Sequence, residues 1–307
     1  MSEPTSYPAR LWVYQAERFP LAKTVPLLAV FSAASITISA VLAERALPSF
    51  GGYLIGFALV MILFFQMRVC DEIKDLEDDT AYRPERPIPR GLVSLREIVL
   101  LGIATVPVAA TLALLWGHGL IWLLLLVWLW LAAMTFEFGV PKWLKARPVL
   151  YLLSHMAIMP LIDLLLTGVE WTRADAPHPG LWLFLALSFV NGCVLELGRK
   201  LWAPESERDG VETYSKLWGP KRAATVWLVF VVIAAALLIG VGALTGVVFW
   251  LALLAGLGVA LCAWAGLSYA KTPTISAEKR LDMLAGLWVF FCYASAGFLP
   301  LVLGGAG

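Results

Sequence analysis

Arg68–Asp79 reads Arg-Val-Cys-Asp-Glu-Ile-Lys-Asp-Leu-Glu-Asp-Asp, with six carboxylates between positions 71 and 79. On a continuous helix turning about 100° per residue, Asp71, Glu72, Asp75, Asp78 and Asp79 fall within about 120° of arc, and Glu77 points away. Carboxylates stacked this closely repel one another, and a divalent cation relieves the repulsion. Hard oxygen donors with room for water suit Mg²⁺. A solvated acidic helix end would carry the same letters. Tyr82–Gly91 follows as Tyr-Arg-Pro-Glu-Arg-Pro-Ile-Pro-Arg-Gly. Its prolines forbid helix and hold Arg83, Arg86 and Arg90 on an extended turn. Guanidinium groups match phosphate oxygens, so these residues could form a diphosphate site. The same arginines could instead neutralise the acids or touch lipid headgroups.

A second mixed segment, Glu196–Thr213, contains Glu196, Glu205, Glu207, Asp209 and Glu212 together with Arg199, Lys200 and Arg208. Two acid-rich segments read as two halves of one site. Between them in sequence, Pro141–Pro148 is purely basic. Its Lys142 and Lys145 either close over an anion or simply mark the side of the membrane.

The elements that must position these residues are apolar. Of 307 residues, 60% are hydrophobic and 15% charged, against about a quarter charged in a soluble domain. One globular core could not hide that surface, and 14 Trp suit a chain that meets two membrane interfaces. A net charge of +1 gives no basis for a nucleic-acid partner. A crossing helix needs about 20 apolar residues. Uncharged runs predict a single membrane domain over 1–307 with spans near 24–43, 46–67, 98–116, 119–136, 148–169, 180–198, 221–241, 246–270 and 283–303. The fold class is all-α: nine transmembrane helices in one bundle. The N-terminal segment and the loops after spans two, four, six and eight then hold 21 of the 23 Lys and Arg; only Arg45 and Arg173 fall on the other side. Positive residues stay in the cytoplasm, so the N-terminus is expected there, with both acid-rich segments on the same side.

Glu137, His155, Asp163, Asn191 and Glu196 lie within or at the ends of spans. Ionisable groups at that depth face the bundle interior. His155 and Asp163, eight apart, fall roughly on one face of span five. They either line a substrate cavity or bond to neighbouring helices. The four cysteines stand alone, so no zinc knot or disulfide framework is indicated, and they read as small buried hydrophobes.

The chain resembles the UbiA superfamily of intramembrane prenyltransferases. That family has Asp-rich motifs after helices two and six. Its first motif, N-D-x-x-D-x-x-x-D followed by R-P-x-R-P-[IL]-P-x-G, is matched in spacing by Asp71-Glu72-x-x-Asp75-x-x-x-Asp79 and nearly letter for letter by Arg83–Gly91. Asp71 stands where the family has Asn, and Glu72 where it has Asp. In the second motif Thr213–Gly219 anchors the register, and Arg199-Lys200 fall where acids are expected. The resemblance implies a UbiA-like bundle that transfers a prenyl group from an isoprenoid diphosphate to a lipophilic, possibly aromatic, acceptor. It implies Mg²⁺ held by Asp71, Glu72, Asp75, Asp79, Glu196, Glu205 and Asp209, with Asp71, Asp75 and Glu196 central to catalysis. Arg83, Arg86, Lys142, Lys145, Arg199 and Lys200 would bind the diphosphate, Arg199 and Lys200 replacing part of the metal's charge. Membrane lipid surrounds such a protein, and a bacterial cytoplasmic membrane with the active site on its inner face is the expected location. A UbiA-type terpene cyclase and a non-catalytic prenyl-diphosphate-binding protein are the alternatives.

Overall fold

The computed structural model describes residues 6–174 and 176–303. Among these residues the chain is helical throughout, with no strand. A short helix α1 (Tyr7–Arg18) precedes the first long one, α2 (Leu21–Leu42). Then come α3 (Phe50–Lys74), the short α4 (Leu76–Tyr82), α5 (Leu95–Trp116), α6 (His118–Thr135) and the short α7 (Pro141–Lys145). The fifth crossing is made by α8 (Pro148–Met156) and α9 (Ile158–Trp171), and the sixth by α10 (Leu181–Arg199). The short α11 (Tyr214–Trp218), α12 (Pro220–Leu244), α13 (Val248–Lys271) and α14 (Ile275–Leu303) complete the chain. Nine of these segments are long and apolar enough to cross a membrane, in the order that the uncharged runs predict. The helices outrun those runs: α3 continues past position 67 to Lys74, and α14 starts at Ile275 rather than near 283. Charged residues bar a helix from hydrocarbon but not from the turns beyond it.

Antiparallel succession brings α1, α4, α7 and α11 to one end of the bundle, the charged end. Large apolar side chains such as Leu115, Trp122, Leu129 and Phe249 are exposed around the outside, as a lipid-facing surface requires. Lipid offers no hydrophobic force between helices, so close packing and polar contacts must hold them. Both are present. A Cβ on Gly297 of α14 would sit 2.5 Å from the Ala34 Cα of α2, so only glycine permits this approach. Asp163 on α9 is fully buried and accepts from Ser35 on α2 (2.5 Å) and Tyr293 on α14 (2.6 Å). The Tyr293 hydroxyl also lies 3.0 Å from Ser188 on α10. Four helices are tied through one carboxylate. At the far end Glu170 takes Ser39 (2.8 Å) and Arg45 (3.1 Å).

Span five is broken between α8 and α9 at Ala157. His155 contacts Lys74 at the charged end, whereas Asp163, two turns further on, is taken up by the interhelical clamp. The four cysteines are free, three of them buried.

Candidate functional site

The acidic arc of span two is not one surface. α3 ends at Lys74, Asp75 takes φ −90°, ψ 0°, and α4 restarts at Leu76. Glu72 and Asp79, seven apart and so nearly in phase, turn inward and are 4% and 2% exposed. Arg18 at the end of α1 donates through Nε to Glu72 Oε1 at 2.6 Å, with Tyr14 OH 3.4 Å from the same oxygen. Arg86 reaches Asp79 Oδ2 at 2.5 Å, Arg83 reaches Oδ1 at 3.3 Å, and Arg18 Nη2 is 3.9 Å away. Burial alone would lower Arg18, but Glu72 and then Asp79 hold its guanidinium above the ordinary value. Burial and Glu72 likewise push the Tyr14 phenol up. Arg90 anchors the same loop to α1 through two contacts with Glu17, at 2.8 and 2.9 Å.

Asp71, Asp75 and Asp78 form the other half of the arc. Asp71 is 53% exposed in its side chain, with Arg68 at 3.3 Å, and Asp78 is exposed. Asp75 is half-buried, and burial, then the Asp79 carboxylate, push its pKa up from the ordinary carboxylate range.

Next to Asp75 lies a polar cluster at the mouth of the bundle. Lys74 Nζ contacts Glu137 Oε1 (2.8 Å), Tyr151 OH (3.1 Å) and His155 Nε2 (3.3 Å). Tyr151 and His155 are stacked, with ring centres 3.9 Å apart. Asp75 and Glu196 both lie within electrostatic reach of Tyr151, so the cluster stands between the two acid-rich segments.

In the second segment, Glu196 is engaged by Lys200 (2.9 Å) and Arg199 (3.2 Å). Glu207 accepts from Thr213 (2.7 Å) and Ser215 (2.8 Å), while Thr213 caps α11 through Lys216 N. Burial and the Glu196 charge hold the Tyr214 phenol well above its usual value. Glu205 is exposed, and Asp209 is 99% exposed with Lys216 at 3.9 Å. The two loops meet directly. Glu85 pairs with Arg208 at 3.3 Å, and Gly210, at φ +73°, packs where any Cβ would overlap the Tyr82 ring.

The structure thus gathers Asp71, Asp75, Glu196, Arg199 and Lys200 around one end of the bundle. It ties Glu72 and Asp79 to arginines and leaves Glu205 and Asp209 in solvent. Lys142 and Lys145 on α7 are exposed at the same end. Among the described residues, no three His, Cys, Asp or Glu side chains converge as a ready-made metal centre. Tyr14, Arg18, Lys74 and Tyr151 are the site residues that sequence reading misses. Arg18 is one of the cations before the first span, and Tyr151 stands one turn before His155; those were the available signals.

The model of the UbiA prenyltransferase family matches residues 32–288. A search of curated proteins finds no match. Among solved structures, the apo UbiA homologue from Aeropyrum pernix K1 superposes with a TM-score of 0.67 at 18% identity, covering 90% of this chain and 98% of that one. A digeranylgeranylglyceryl phosphate synthase matches with a TM-score of 0.63 at 15% identity over 94% of this chain and 99% of the other. A UbiA homologue from Archaeoglobus fulgidus bound to DMAPP and Mg²⁺ matches at 0.56 and 13% identity, over 92% and 98%. At these identities the structures speak for a shared fold, and the family match over most of the sequence goes further: the chain belongs to the UbiA prenyltransferase family.

Proposed function

We propose that this protein transfers a prenyl group from an isoprenoid diphosphate to a lipophilic acceptor within the membrane, in a Mg²⁺-dependent reaction at the charged end of the bundle. The observation that carries this reading is the meeting of the two loops, through Glu85–Arg208 and Gly210–Tyr82, beside the Asp71–Asp75 pair. Family membership and the DMAPP and Mg²⁺ held by a fold relative support it. The sorting of basic residues supports a cytoplasmic position for this end, and a bacterial inner membrane is the proposed location.

The donor set fits Mg²⁺ in one way. Mg²⁺ prefers one or two carboxylates plus substrate phosphates and retained waters over an all-protein cage. Asp71 and Asp75, one turn apart and not committed to the Arg18–Arg83–Arg86 cluster, supply such a pair. Burial and repulsion from Asp79 disfavour the charge on Asp75, and a cation would relieve that cost. When bound, the ion would offset the negative charge that gathers on the departing diphosphate. Glu196, Glu205 and Asp209 do not form an equivalent set, since Glu196 is paired and the other two are exposed.

The chain's own residues do the rest. Arg199 lies within electrostatic reach of Asp71, Lys200 shares Glu196 with Arg199, and Lys142 and Lys145 add cations at the rim. Preorganised charge of this kind acts where negative charge develops, on the leaving group. The apolar interior accepts the isoprenoid tail and keeps water from the allylic cation.

The test is diphosphate release by purified protein in detergent with geranyl, farnesyl and geranylgeranyl diphosphates, with and without Mg²⁺ and membrane lipid extract. Mg²⁺-dependent release that falls at least about 100-fold in Asp75→Ala is expected. Silence with every diphosphate and extract would overturn the reading. A cyclised product without any acceptor would replace it with a terpene cyclase.

A further inference from the structure

Ionisation of the diphosphate leaves the Lys74–Glu137–Tyr151–His155 cluster without a task. Its geometry is unusual on two counts. Glu137 is 6% exposed. Its Oε1 takes Lys74 (2.8 Å) and Tyr151 OH (3.2 Å). Its Oε2 is buried with no hydrogen-bond partner among the described residues, 3.6 Å from His155 Nε2. A buried carboxylate oxygen without a donor is costly. The backbone that delivers it is strained as well. Glu137, Phe138 and Gly139 stand consecutively at φ +50°, +53° and +74°, a region that L-residues with side chains avoid. Such strain persists where surrounding contacts over-determine it, and it gathers at functional sites.

The neighbours fix the arrangement. His155 Nδ1 is 2.9 Å from the Tyr151 carbonyl, which holds the ring proton on Nδ1 and leaves Nε2 an acceptor facing Lys74. Lys74 arrives from α3 immediately before Asp75, and Tyr151 and His155 from α8. Across the mouth of the bundle, Glu196 of the second segment lies within electrostatic reach of His155.

We propose that Glu137 is the proton acceptor of the coupling step, with Lys74, Tyr151 and His155 as positioning residues. This rests on the transferase reading above. The allylic C–O bond breaks and its electron pair leaves with the diphosphate. The acceptor's nucleophilic atom then donates a pair to the allylic carbon and is left with one proton too many. That proton passes to Glu137 Oε2. The acceptor is accordingly of a class whose nucleophile must lose a proton, a hydroxyl group or an aromatic C–H.

Two products report the two steps separately. Labelled farnesyl diphosphate with membrane lipid extract yields labelled prenylated lipid when coupling succeeds, and free prenyl alcohol when water captures the cation. Glu137→Gln is expected to release diphosphate within about twofold of wild type, while prenylated lipid falls about 100-fold and prenyl alcohol rises. Glu137→Asp, which keeps the carboxylate, is expected to recover at least about tenfold of the loss. Thermal melting and prenyl-diphosphate-analogue binding identify any variant that fails to fold, in which case the other variant decides. Equal loss of release and coupling in folded Glu137→Gln, or coupling that survives, overturns the proposal. Absence of release by wild-type protein is a different result and sinks the transferase reading together with this one.

Discussion

Arg18→Ala removes one side chain from the enclosed charge cluster, and its consequences can be worked from the contacts. The guanidinium and the Glu72 carboxylate are 10% and 4% exposed in their side chains and 2.6 Å apart, so solvent screens them little. Removing one partner of a buried pair costs about 3–5 kcal/mol, because the other charge is left uncompensated. Here Glu72 would keep, among the described residues, only the Tyr14 hydroxyl at 3.4 Å. Asp79 loses a contact at 3.9 Å but keeps Arg83 and Arg86, so the loss concentrates on Glu72. The expected outcome is local: α1 lifts from the loop, and amide exchange over Tyr7–Arg18 accelerates by about two orders of magnitude or more. Hydrogen exchange in detergent reads this directly, against Arg18→Ala/Glu72→Gln. With the stranded charge neutralised, the double variant should recover much of the protection. Unchanged exchange in Arg18→Ala, or a double variant as labile as the sum of the singles, would refute the pairing as the force that holds α1.

Three further outcomes are expected. Gly210→Ala places a methyl group into the Tyr82 ring at φ +73°; prenyl transfer should drop several-fold, and Tyr82→Ala should partly restore it by making room. Tyr293→Phe deletes a donor to buried Asp163 and should destabilise by about 1–3 kcal/mol, measured as a fall in the detergent melting temperature. Asp75→Asn should abolish diphosphate release yet stabilise the protein by up to about 1 kcal/mol. Because burial raises the native pKa of Asp75, its ionised form is disfavoured on folding. The gain from Asn is then full at neutral pH and shrinks as pH falls through that raised value, which melting curves between pH 7 and pH 4 would reveal.

The crossings and the charged end were legible because hydrocarbon imposes a simple rule on sequence: charges stop a run of apolar residues, and basic residues choose a side. The Arg83–Gly91 stretch and the Asp71–Asp75–Asp79 spacing were legible for a similar reason, since one short segment carries the whole pattern. The division of the acidic arc was not. Whether Glu72 meets a metal or Arg18 depends on α1, far away in sequence, and no spacing within 71–79 reports it. Nor could the left-handed run at Glu137–Gly139 be read, because only one of its three residues is a glycine. For Asp163 the reading as a bond to neighbouring helices holds, and the break at Ala157 had a signal in Pro160, whose missing N–H cannot bond the Met156 carbonyl.

The clamp on Asp163 bears on how the protein is made. Its donors lie on α2 and α14, so one emerges from the ribosome before the carboxylate and the other well after it. While α14 is still to come, the nascent bundle has a carboxylate within a membrane span with Ser35 in place and the Tyr293 hydroxyl missing. An acid in that position is costly enough to keep the partial bundle loose. Arrival of α14 completes the set and, through Gly297 against Ala34, packs it onto α2. Docking of α14 is therefore a locking step. A chain stopped short of it would expose a buried acid by which surveillance proteases could distinguish unfinished molecules from finished ones.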